Sequence, residues 1–273
     1  MKTEMTEKLV RFQRPEKSLP YLNGADEAHI AALFGLSATE YRELGDDFTA
    51  RARDAAARLL DNPDIAAQVD RLPFAAGAHV VALGESTTAD RLSWFEILRH
   101  LLELRRPADR IRLTNLAVSG STTTQALKSV AALGFLRPDW VLCALGGNDA
   151  QQVGIGGPLL VSANETARNL TLLRSEAARL CGPRWVWLTP ATMDEELIAA
   201  YPHFQQAQIS WTTKDLEHTA QLLRARPEPV IDAFAATTAA AQVPMHIEDG
   251  VHLTLEGQRA VAIAAVATLA ELA

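Results

Sequence analysis

The sequence of 273 residues is poor in cysteine, in aromatic residues and in long apolar runs. Its two cysteines exclude a disulfide scaffold and a zinc site built from four thiolates. The longest apolar stretch, residues 260–272, is too short to cross a bilayer and is typical of a buried helix. Aromatic residues make up only 6% of the chain, which gives no sign of a sugar-stacking cleft.

Positive charge is also in deficit, since 26 Lys and Arg face 33 Asp and Glu for a formal net charge of −7. A general binder of nucleic acid or of anionic membranes would need a net basic face, so neither partner is expected. A chain of this length can bury a full core without a metal, and we expect neither a metal nor a cofactor. The polar N-terminus lacks the apolar region of a signal peptide, which favours a cytoplasmic protein without integral membrane association.

The chain divides near residue 75, and we predict a helical extension over residues 1–75 and a second domain over residues 76–273. Helix signals dominate the first part: Ser37 and Glu40 have the spacing of a capping box, and Asn62 with Pro63 is typical of a helix start. The first twenty residues are polar and predict a loose arm.

Short apolar runs alternate with helical patterns after residue 75, and Asp90 is expected to cap the helix after the first run. The runs that predict strands are His79–Leu83, Ile111–Val118, Trp140–Leu145, Trp185–Leu188 and Val230–Phe234. This alternation predicts βαβ crossovers and a parallel sheet covered by helices on both faces. Ligands of such sheets bind at the carboxyl ends of the strands, so the residues just after each run are candidates for a site.

Four polar segments stand at such places and should converge on one rim of the sheet. They are Gly84–Thr88, Ser119–Ser121, Gly146–Asp149 and, in the last loop, Asp249–His252. Each one alone could be an ordinary turn or helix cap. Together they supply the distinct parts of a single acyl-transfer site.

The chemistry of that site starts from Ser86, whose hydroxyl is a poor nucleophile at neutral pH and needs a base. His252 can be that base, and Asp249, three residues earlier, can hold its imidazole in the required tautomer. The backbone N–H groups of Ser86 and Gly120 and the side-chain amide of Asn148 can donate hydrogen bonds to an oxyanion. We therefore predict a catalytic triad of Ser86, His252 and Asp249 beside an oxyanion hole of Ser86, Gly120 and Asn148.

These segments resemble the sequence blocks of the SGNH, or GDSL-type, hydrolases. The blocks occur in the family's order over about residues 78–273. They are GES around Ser86, NLAVSG ending at Gly120, GGND with Asn148, and DGVH with Asp249 and His252. The resemblance implies an α/β fold, a flavodoxin-like three-layer αβα sandwich with about five parallel strands. It also implies that residues 76–273 form the catalytic domain, with the roles given above for each site residue.

The sequence departs from the family at Glu85, because members usually have aspartate before the serine. The charge is kept and the side chain is one methylene longer, which affects the geometry of the loop. The helices before residue 75 are also outside the common family core.

The predicted function is hydrolysis of carboxylic esters, as an esterase, deacetylase or lipase-like enzyme, through an acyl-enzyme and without a cofactor. Two alternatives stay open: an acyltransferase that uses the same site, and a binding or assembly module with a vestigial site. Substrates of the family range from acetylated sugars to lysophospholipids and thioesters, so a small-molecule or acylated-carbohydrate ester is expected. The N-terminal helices could pack on the outer helices, cover the mouth of the site or build a homo-oligomer.

Other candidates have simpler interpretations. Cys143 and Cys181 are expected to be unpaired. The segment 191–211 is either a wall or lid of the pocket or a surface helix that docks its apolar face. The six further histidines are expected to be surface or hydrogen-bonded core residues: His29, His79, His100, His203, His218 and His246.

Overall fold

A five-stranded parallel sheet forms the centre of the protein, whose computed structural model describes residues 2–22, 24–154, 156–239 and 243–273. The strands are β1 (His79–Gly84), β2 (Arg112–Asn115), β3 (Trp140–Ala144), β4 (Gln152–Val153), β5 (Arg184–Leu188), β6 (Ile209–Ser210) and β7 (Val230–Ile231). The sheet has the order β2-β1-β3-β5-β7, and all neighbouring strands in it are parallel. The strands β4 and β6 form a separate antiparallel pair.

Helices precede the sheet and cover both of its faces. They are α1 (Lys2–Phe12), α2 (Pro15–Ser18), α3 (Glu27–Leu33), α4 (Ala38–Leu60), α5 (Pro63–Asp70), α6 (Ser86–Ala89), α7 (Trp94–Arg105), α8 (Thr123–Ser129), α9 (Ala131–Leu136), α10 (Ala163–Leu180), α11 (Glu195–Ala200), α12 (Pro202–Ala207), α13 (Thr213–Arg224), α14 (Ala233–Ala239) and α15 (Leu255–Ala270). In the described part of the chain, no helix is long and apolar enough to cross a membrane.

Side chains of the sheet alternate between two cores, as the period of two in a strand requires. From β1, Val80 and Ala82 join a cluster with α7 and α15, whereas Val81 and Leu83 join a cluster with α8 and α10. Helices thus cover both faces of a parallel sheet. The fold predicted from the sequence is confirmed.

Helix starts follow the capping residues that the sequence predicted. Ser37 accepts a hydrogen bond from the N–H of Glu40, whose carboxylate accepts one from the N–H of Ser37, and α4 begins at the next residue. Asn62 caps α5, with Pro63 at its first position. Both predictions are confirmed.

The prediction of a loose arm at the N-terminus is wrong, because residues 2–12 form α1. Val10 and Phe12 are buried, and Val10 packs with Phe48 and Leu92. Met5 and Leu9 of the same helix are also apolar but exposed, so the sequence does not single out the two buried side chains.

The prediction that Asp90 caps the helix after β1 is also wrong. Ser93 caps α7, because its side chain accepts a hydrogen bond from the N–H of Glu96. Asp90 instead ends α6 and accepts hydrogen bonds from Nε and Nη2 of Arg11, at 2.8 and 2.7 Å.

Two of the predicted strands are shorter than expected because a polar side chain turns the backbone. β2 ends at Asn115, whose side chain accepts a hydrogen bond from the N–H of Ala117. β7 ends at Ile231, and Asp232 then accepts one from the N–H of Ala235 in the first turn of α14.

The N-terminal helices pack on the outer side of the helical layer. Buried residues of α4 and α5, among them Leu59 and Val69, belong to the same apolar cluster as the sheet residues Val80 and Leu142. Of the three uses that the sequence left open, packing on outer helices is therefore present. The boundary at residue 75 stays a prediction, since this cluster is continuous across it.

Candidate active site

The first polar segment turns sharply from β1 into α6. A side chain at Gly84 would lie 2.8 Å from Thr88 Cβ and 3.2 Å from the carbonyl oxygen of Ala144, so the turn requires glycine. Ser86 is the first residue of α6 and is 7% exposed. Its N–H has no partner inside the helix and can donate to a bound oxygen.

The last polar segment holds an aspartate–histidine pair. Asp249 Oδ2 lies 2.7 Å from Nδ1 of His252, and Oδ1 accepts the N–H groups of Val251 and His252, both at 2.9 Å. Gly250 allows this tight loop with a φ of 72°. If Nδ1 carries the proton toward the carboxylate, Nε2 is free to accept one.

Asp249 is held in its ionised form. It is 1% exposed, and this burial disfavours its charge, but hydrogen bonds from His252 and Lys8 and the electrostatic interaction with His252 outweigh burial. The pKa of Asp249 therefore lies well below its usual range. An ionised carboxylate here can stabilise an imidazolium.

Buried and partly buried hydrogen bonds tie the serine segment to the histidine segment. The amide of Gln258, in the first turns of α15, donates to the carbonyl of Thr87 at 3.0 Å and to Asp90 at 3.1 Å. Arg11 joins Asp90 to the carbonyl of Leu253 at 2.8 Å. The residues that directly follow Ser86 and His252 are thus linked to one another.

Among the residues that the structure describes, Ser86 Oγ and the imidazole of His252 form no hydrogen bond. In enzymes without bound substrate, hydrogen bonds of this kind are often long or poorly aligned and tighten in the complex.

The second polar segment is a turn closed by a hydrogen bond from the N–H of Ser121 to the carbonyl of Val118, at 3.1 Å. Gly120 occupies the third position with a φ of 78°, which side chains rarely adopt. Apart from Gly120 itself and its two neighbours in the chain, no described atom lies within 4 Å of where a Cβ of Gly120 would stand. The turn thus presents an exposed backbone at Gly120.

The third polar segment is organised by the carboxyl group of Glu85. It accepts the N–H groups of Gly147 and Asn148, both at 3.0 Å, and the side-chain amide of Asn148 at 3.1 Å. The same amide donates to the carbonyl of Ser121 at 3.2 Å. Both hydrogens of the Asn148 amide therefore already have acceptors, and an oxyanion would share one of them.

Burial raises the pKa of Glu85 to about 8, although the hydrogen bonds from Asn148 and Gly147 favour its charged form. The side chain of Glu85, which is one methylene longer than aspartate, reaches the loop after β3. It holds the backbone and side chain of Asn148 with one group.

Asp149 is a residue of this site that sequence reasoning passed over, although it stands in the GGND block. It is buried and accepts hydrogen bonds from the N–H and hydroxyl of Thr123, at 2.8 and 2.5 Å, and from the hydroxyl of Thr166 at 2.7 Å. It therefore anchors the Asn148 loop to α8 and α10.

The segment 191–211 supports two of the site loops. Its Trp211 donates through Nε1 to the carbonyl of Gly147 at 3.0 Å, and the N–H of Asp194 donates to the carbonyl of Gly250 at 2.8 Å. Its apolar side chains pack with Val251 in a small cluster. The apolar face is docked against the loops that carry Asn148 and His252.

The remaining histidines that have described partners are engaged in ordinary contacts. The imidazoles and their partners are His29 with Asp26, His79 with Thr114, His100 with Glu103 and His246 with the carbonyl of Thr192. His203 packs edge-on against Tyr201. Cys143 and Cys181 are both free thiols, as expected.

Sequence reasoning also missed two residues of α1 that contact the aspartate–histidine pair. Lys8 Nζ lies 2.7 Å from Asp249 Oδ2, and the ring centroid of Phe12 lies 4.2 Å from that of His252. Their spacing of four places them on one face of a helix, but only an expected helix at residues 2–12 would have given that spacing a meaning.

Comparisons with known proteins bear on the family and the fold of the chain. The chain matches the model of the GDSL-like Lipase/Acylhydrolase family over residues 82–260. No curated protein sequence matched it.

Two solved structures share the fold at low sequence identity. LAE5, an alpha/beta hydrolase enzyme from the metagenome of Lake Arreo, Spain, is 21% identical, with a TM-score of 0.56 over 72% of this chain and 97% of its own. Axe2, an acetylxylan esterase from Geobacillus stearothermophilus, is 18% identical, with a TM-score of 0.55 over 72% of this chain and 95% of its own. The match to the family model spans well over half of the sequence, and the chain accordingly belongs to the GDSL-like lipase/acylhydrolase family and is an ester-hydrolysing enzyme.

Proposed function

We propose that the chain hydrolyses carboxylic esters through an acyl-enzyme formed on Ser86, with His252 as general base and Asp249 as its partner. The observation that carries the proposal is the buried, ionised Asp249 bonded to the imidazole, on the rim where α6 begins with Ser86. The ties between the segments of Ser86 and His252 support their meeting during the reaction.

The first half of the reaction forms the acyl-enzyme. His252 Nε2 takes the proton of Ser86 as Oγ bonds to the ester carbonyl carbon, which gives a tetrahedral intermediate with a negative oxygen. The intermediate collapses when the C–O bond to the alcohol breaks and the imidazolium gives its proton to that alcohol. Water then repeats these steps on the acyl-enzyme and releases the carboxylic acid and free Ser86.

Three donors would stabilise the negative oxygen: the backbone N–H groups of Ser86 and Gly120 and the amide of Asn148. The position of Ser86 at a helix start, the left-handed turn at Gly120 and the grip of Glu85 on Asn148 support this assignment. Such preorganised donors typically contribute a factor of about 100–1,000 each to the rate.

For the substrate we propose a small-molecule or acylated-carbohydrate ester. Similarity of fold to an acetylxylan esterase favours the carbohydrate ester. A cytoplasmic location and a homo-oligomer built through the N-terminal helices stay predictions.

The test is the variant Ser86→Ala, assayed on p-nitrophenyl esters of two to eight acyl carbons. Loss of the nucleophile should lower kcat by about 1,000-fold or more, while the fold is kept. Ser175→Ala, a surface serine of α10, is the matched control and should match the unchanged protein. A fluorophosphonate probe should label the unchanged protein and not Ser86→Ala.

Retained turnover or labelling in Ser86→Ala would refute the assignment of the nucleophile. Adding acetylated sugars and free sugar acceptors to the assay separates hydrolysis from the acyltransferase alternative, because only an acyltransferase makes an acylated acceptor. Absence of both labelling and turnover in the unchanged protein would instead favour a vestigial site.

A further inference from the structure

The helix α1 presents two side chains to the aspartate–histidine pair although it lies outside the residues that match the family. Lys8 and Phe12 are separated by four residues, so they stand one above the other on the same face of α1. Lys8 contacts the carboxylate of the pair and Phe12 contacts its imidazole. One helix face thus meets both members of the pair.

The contacts of Lys8 converge on the carboxylates of the last polar segment. Its Nζ lies 2.7 Å from Asp249 Oδ2, 2.6 Å from Glu248 Oε1 and 3.1 Å from the hydroxyl of Tyr201. Burial alone would lower the pKa of Lys8, but its bonds to Asp249 and Glu248 outweigh burial and raise the pKa. The lysine is therefore charged.

Lys8 and His252 share one oxygen atom. Nζ of Lys8 and Nδ1 of His252 are each 2.7 Å from Oδ2 of Asp249, so the two nitrogens are no further apart than twice that distance. A fixed cation at that range opposes the positive charge that the imidazole acquires when it takes a proton.

Phe12 joins the base to the oxyanion turn. Phe12 is 4% exposed, and its ring lies at a tilt of 37° to the imidazole of His252. Its carbonyl accepts the hydroxyl of Ser119, the residue before Gly120, at 2.5 Å. The end of α1 therefore touches both sides of the site and limits the orientations open to the imidazole.

The helix is fixed in this place and is not a loose cover. Arg11 makes two bonds to the buried carboxylate of Asp90, and the guanidinium and N–H of Arg91 bind the carbonyls of Val10 and Arg11 at 2.9 and 3.1 Å. These bonds satisfy carbonyls of the last turn of α1, which would otherwise lack partners.

We propose that Lys8 and Phe12 are positioning residues of the active site, which hold the carboxylate and the imidazole of the Asp249–His252 pair, so that the N-terminal helix is a working part of the enzyme. The inference rests on the proposed function, since it assigns roles relative to the proposed base. Lys8 fixes Asp249 and biases His252 toward its neutral form, whereas Phe12 fixes the plane of the ring.

Several other charged or titratable groups face the pair and set the background against which Lys8 acts. They are Arg11 on α1, Glu248 on the loop of Asp249, Tyr201 beside Lys8, and His246. His246 forms an antiparallel β-bridge with Leu253, and its imidazole is bonded to the carbonyl of Thr192. Removal of Lys8 leaves these groups in the protein, although Glu248 and Tyr201 lose a hydrogen-bond partner.

The test for Lys8 is the pH dependence of kcat/KM in Lys8→Met, Lys8→Arg and the control Glu248→Gln. Loss of the cation that contacts the same carboxylate oxygen as the imidazole should move the acid limb to higher pH by about one unit in Lys8→Met. Lys8→Arg keeps the charge and should restore the limb. Glu248→Gln removes the charge from a contact of Lys8 but leaves the cation beside Asp249, so it should not raise the limb.

A measurement that needs no turnover accompanies the kinetics. The imidazole of His252 is titrated by NMR in the Ser86→Ala background, with and without Lys8→Met. An upward shift of about one pH unit on loss of Lys8 supports the inference, and an unchanged titration overturns it, whatever the substrate is. Failure of the proposed function would show separately, as unchanged protein that neither turns over esters nor reacts with the fluorophosphonate.

The test for Phe12 compares Phe12→Ala and Phe12→Tyr with the control Val10→Ala. Freeing the imidazole should lower kcat by about 10- to 100-fold with little change in KM, and the aromatic variant should recover most of it. Val10→Ala weakens the buried packing of α1 without changing a residue that contacts the Asp249–His252 pair. It should therefore lower the melting temperature and leave kcat nearly unchanged. Equal losses of kcat in Val10→Ala and Phe12→Ala would reduce Phe12 to a packing role and overturn its part.

Discussion

The change Glu85→Asp restores the residue that usually stands before the serine in this family, and we expect it to harm this chain. The carboxyl of Glu85 is the common acceptor of three N–H groups on the loop after β3. The backbone of Glu85 lies between the end of β1 and the start of α6, and the close packing at Gly84 prevents this backbone from moving toward the loop. The shorter side chain would have to reach the loop from the same place.

The size of the effect follows from the distances. Removing one methylene withdraws the carboxyl by about 1.5 Å, whereas the three bonds now measure 3.0, 3.0 and 3.1 Å. Bonds stretched by that amount are lost. The N–H of Gly147 is buried and that of Asn148 is half-buried, and an unpaired buried donor costs about 1–3 kcal/mol. With partial movement of the loop, we expect a loss of about 2–4 kcal/mol in the free energy of unfolding.

Catalysis should suffer as well, because the same carboxyl orients the amide of Asn148. If that amide loses its alignment with the oxyanion, kcat should fall by about 10- to 100-fold, less than for complete loss of the donor. The measurements are urea unfolding at pH 7 and steady-state kinetics on a short ester. Glu176→Asp, in a surface ion pair with Arg179 on α10, is the matched control and should change stability by less than about 0.5 kcal/mol.

Two results would refute this reasoning. If Glu85→Asp keeps both the stability and the kcat of the unchanged protein, the loop after β3 does not depend on the length of this side chain. If stability falls but kcat does not, the carboxyl serves packing alone and the orientation of Asn148 has another source.

The remaining predictions concern the same loops. Asn148→Ala should lower kcat by about 100- to 1,000-fold in steady-state assays, and it should also lower the melting temperature because the amide donates to Glu85 and to the carbonyl of Ser121. A loss of kcat below tenfold would remove Asn148 from the oxyanion hole. Gly250→Ala should lower the free energy of unfolding in urea by at least about 1 kcal/mol and kcat by at least about tenfold. The reason is that φ is 72° and that a Cβ would lie 2.5 Å from the carbonyl oxygen of Asp194. Stability and kcat equal to those of the unchanged protein would show that the loop can rearrange freely. Because burial raises the pKa of Glu85 to about 8 from its ordinary 4.5, the folded protein binds more protons than the unfolded chain between these values, and its stability should fall there by up to about 1.4 kcal/mol per pH unit from this group. Urea unfolding at several pH values should show that slope reduced in Glu85→Gln, and parallel curves for the two proteins would contradict the assignment.

The sheet and the four site segments could be predicted from the sequence because their signals are local. Each strand is a short apolar run, and each polar segment follows one of them directly or stands in the last loop, so order along the chain already places them on one rim. Helix starts at Ser37 and Asn62 were predictable for the same reason, since a cap is decided within four residues.

Other features depend on contacts between distant parts of the chain, which sequence patterns do not express. Lys8 and Glu248 are 240 residues apart and meet only because α1 docks beside the last loop. Asp90 was predicted to cap a helix because aspartate is common at helix N-caps. Its carboxylate instead accepts two hydrogen bonds from Arg11 of the first helix. A long-range ion pair overrides a local preference when the carboxylate is buried.

The docking of α1 also argues against treating residues 1–75 as a separable appendage. Asp90 is fully buried, and the guanidinium of Arg11 is its cationic partner beside the neutral contacts from Gln258 and the N–H of Leu92. Removing one partner of a buried ion pair typically costs about 3–5 kcal/mol, a large share of the stability of an ordinary domain. A chain truncated at residue 75 would therefore lose activity through instability even if α1 had no part in the reaction. Single substitutions at Lys8 and Phe12 leave the Arg11–Asp90 pair intact. They can therefore separate a role in the reaction from a role in the fold, whereas truncation cannot.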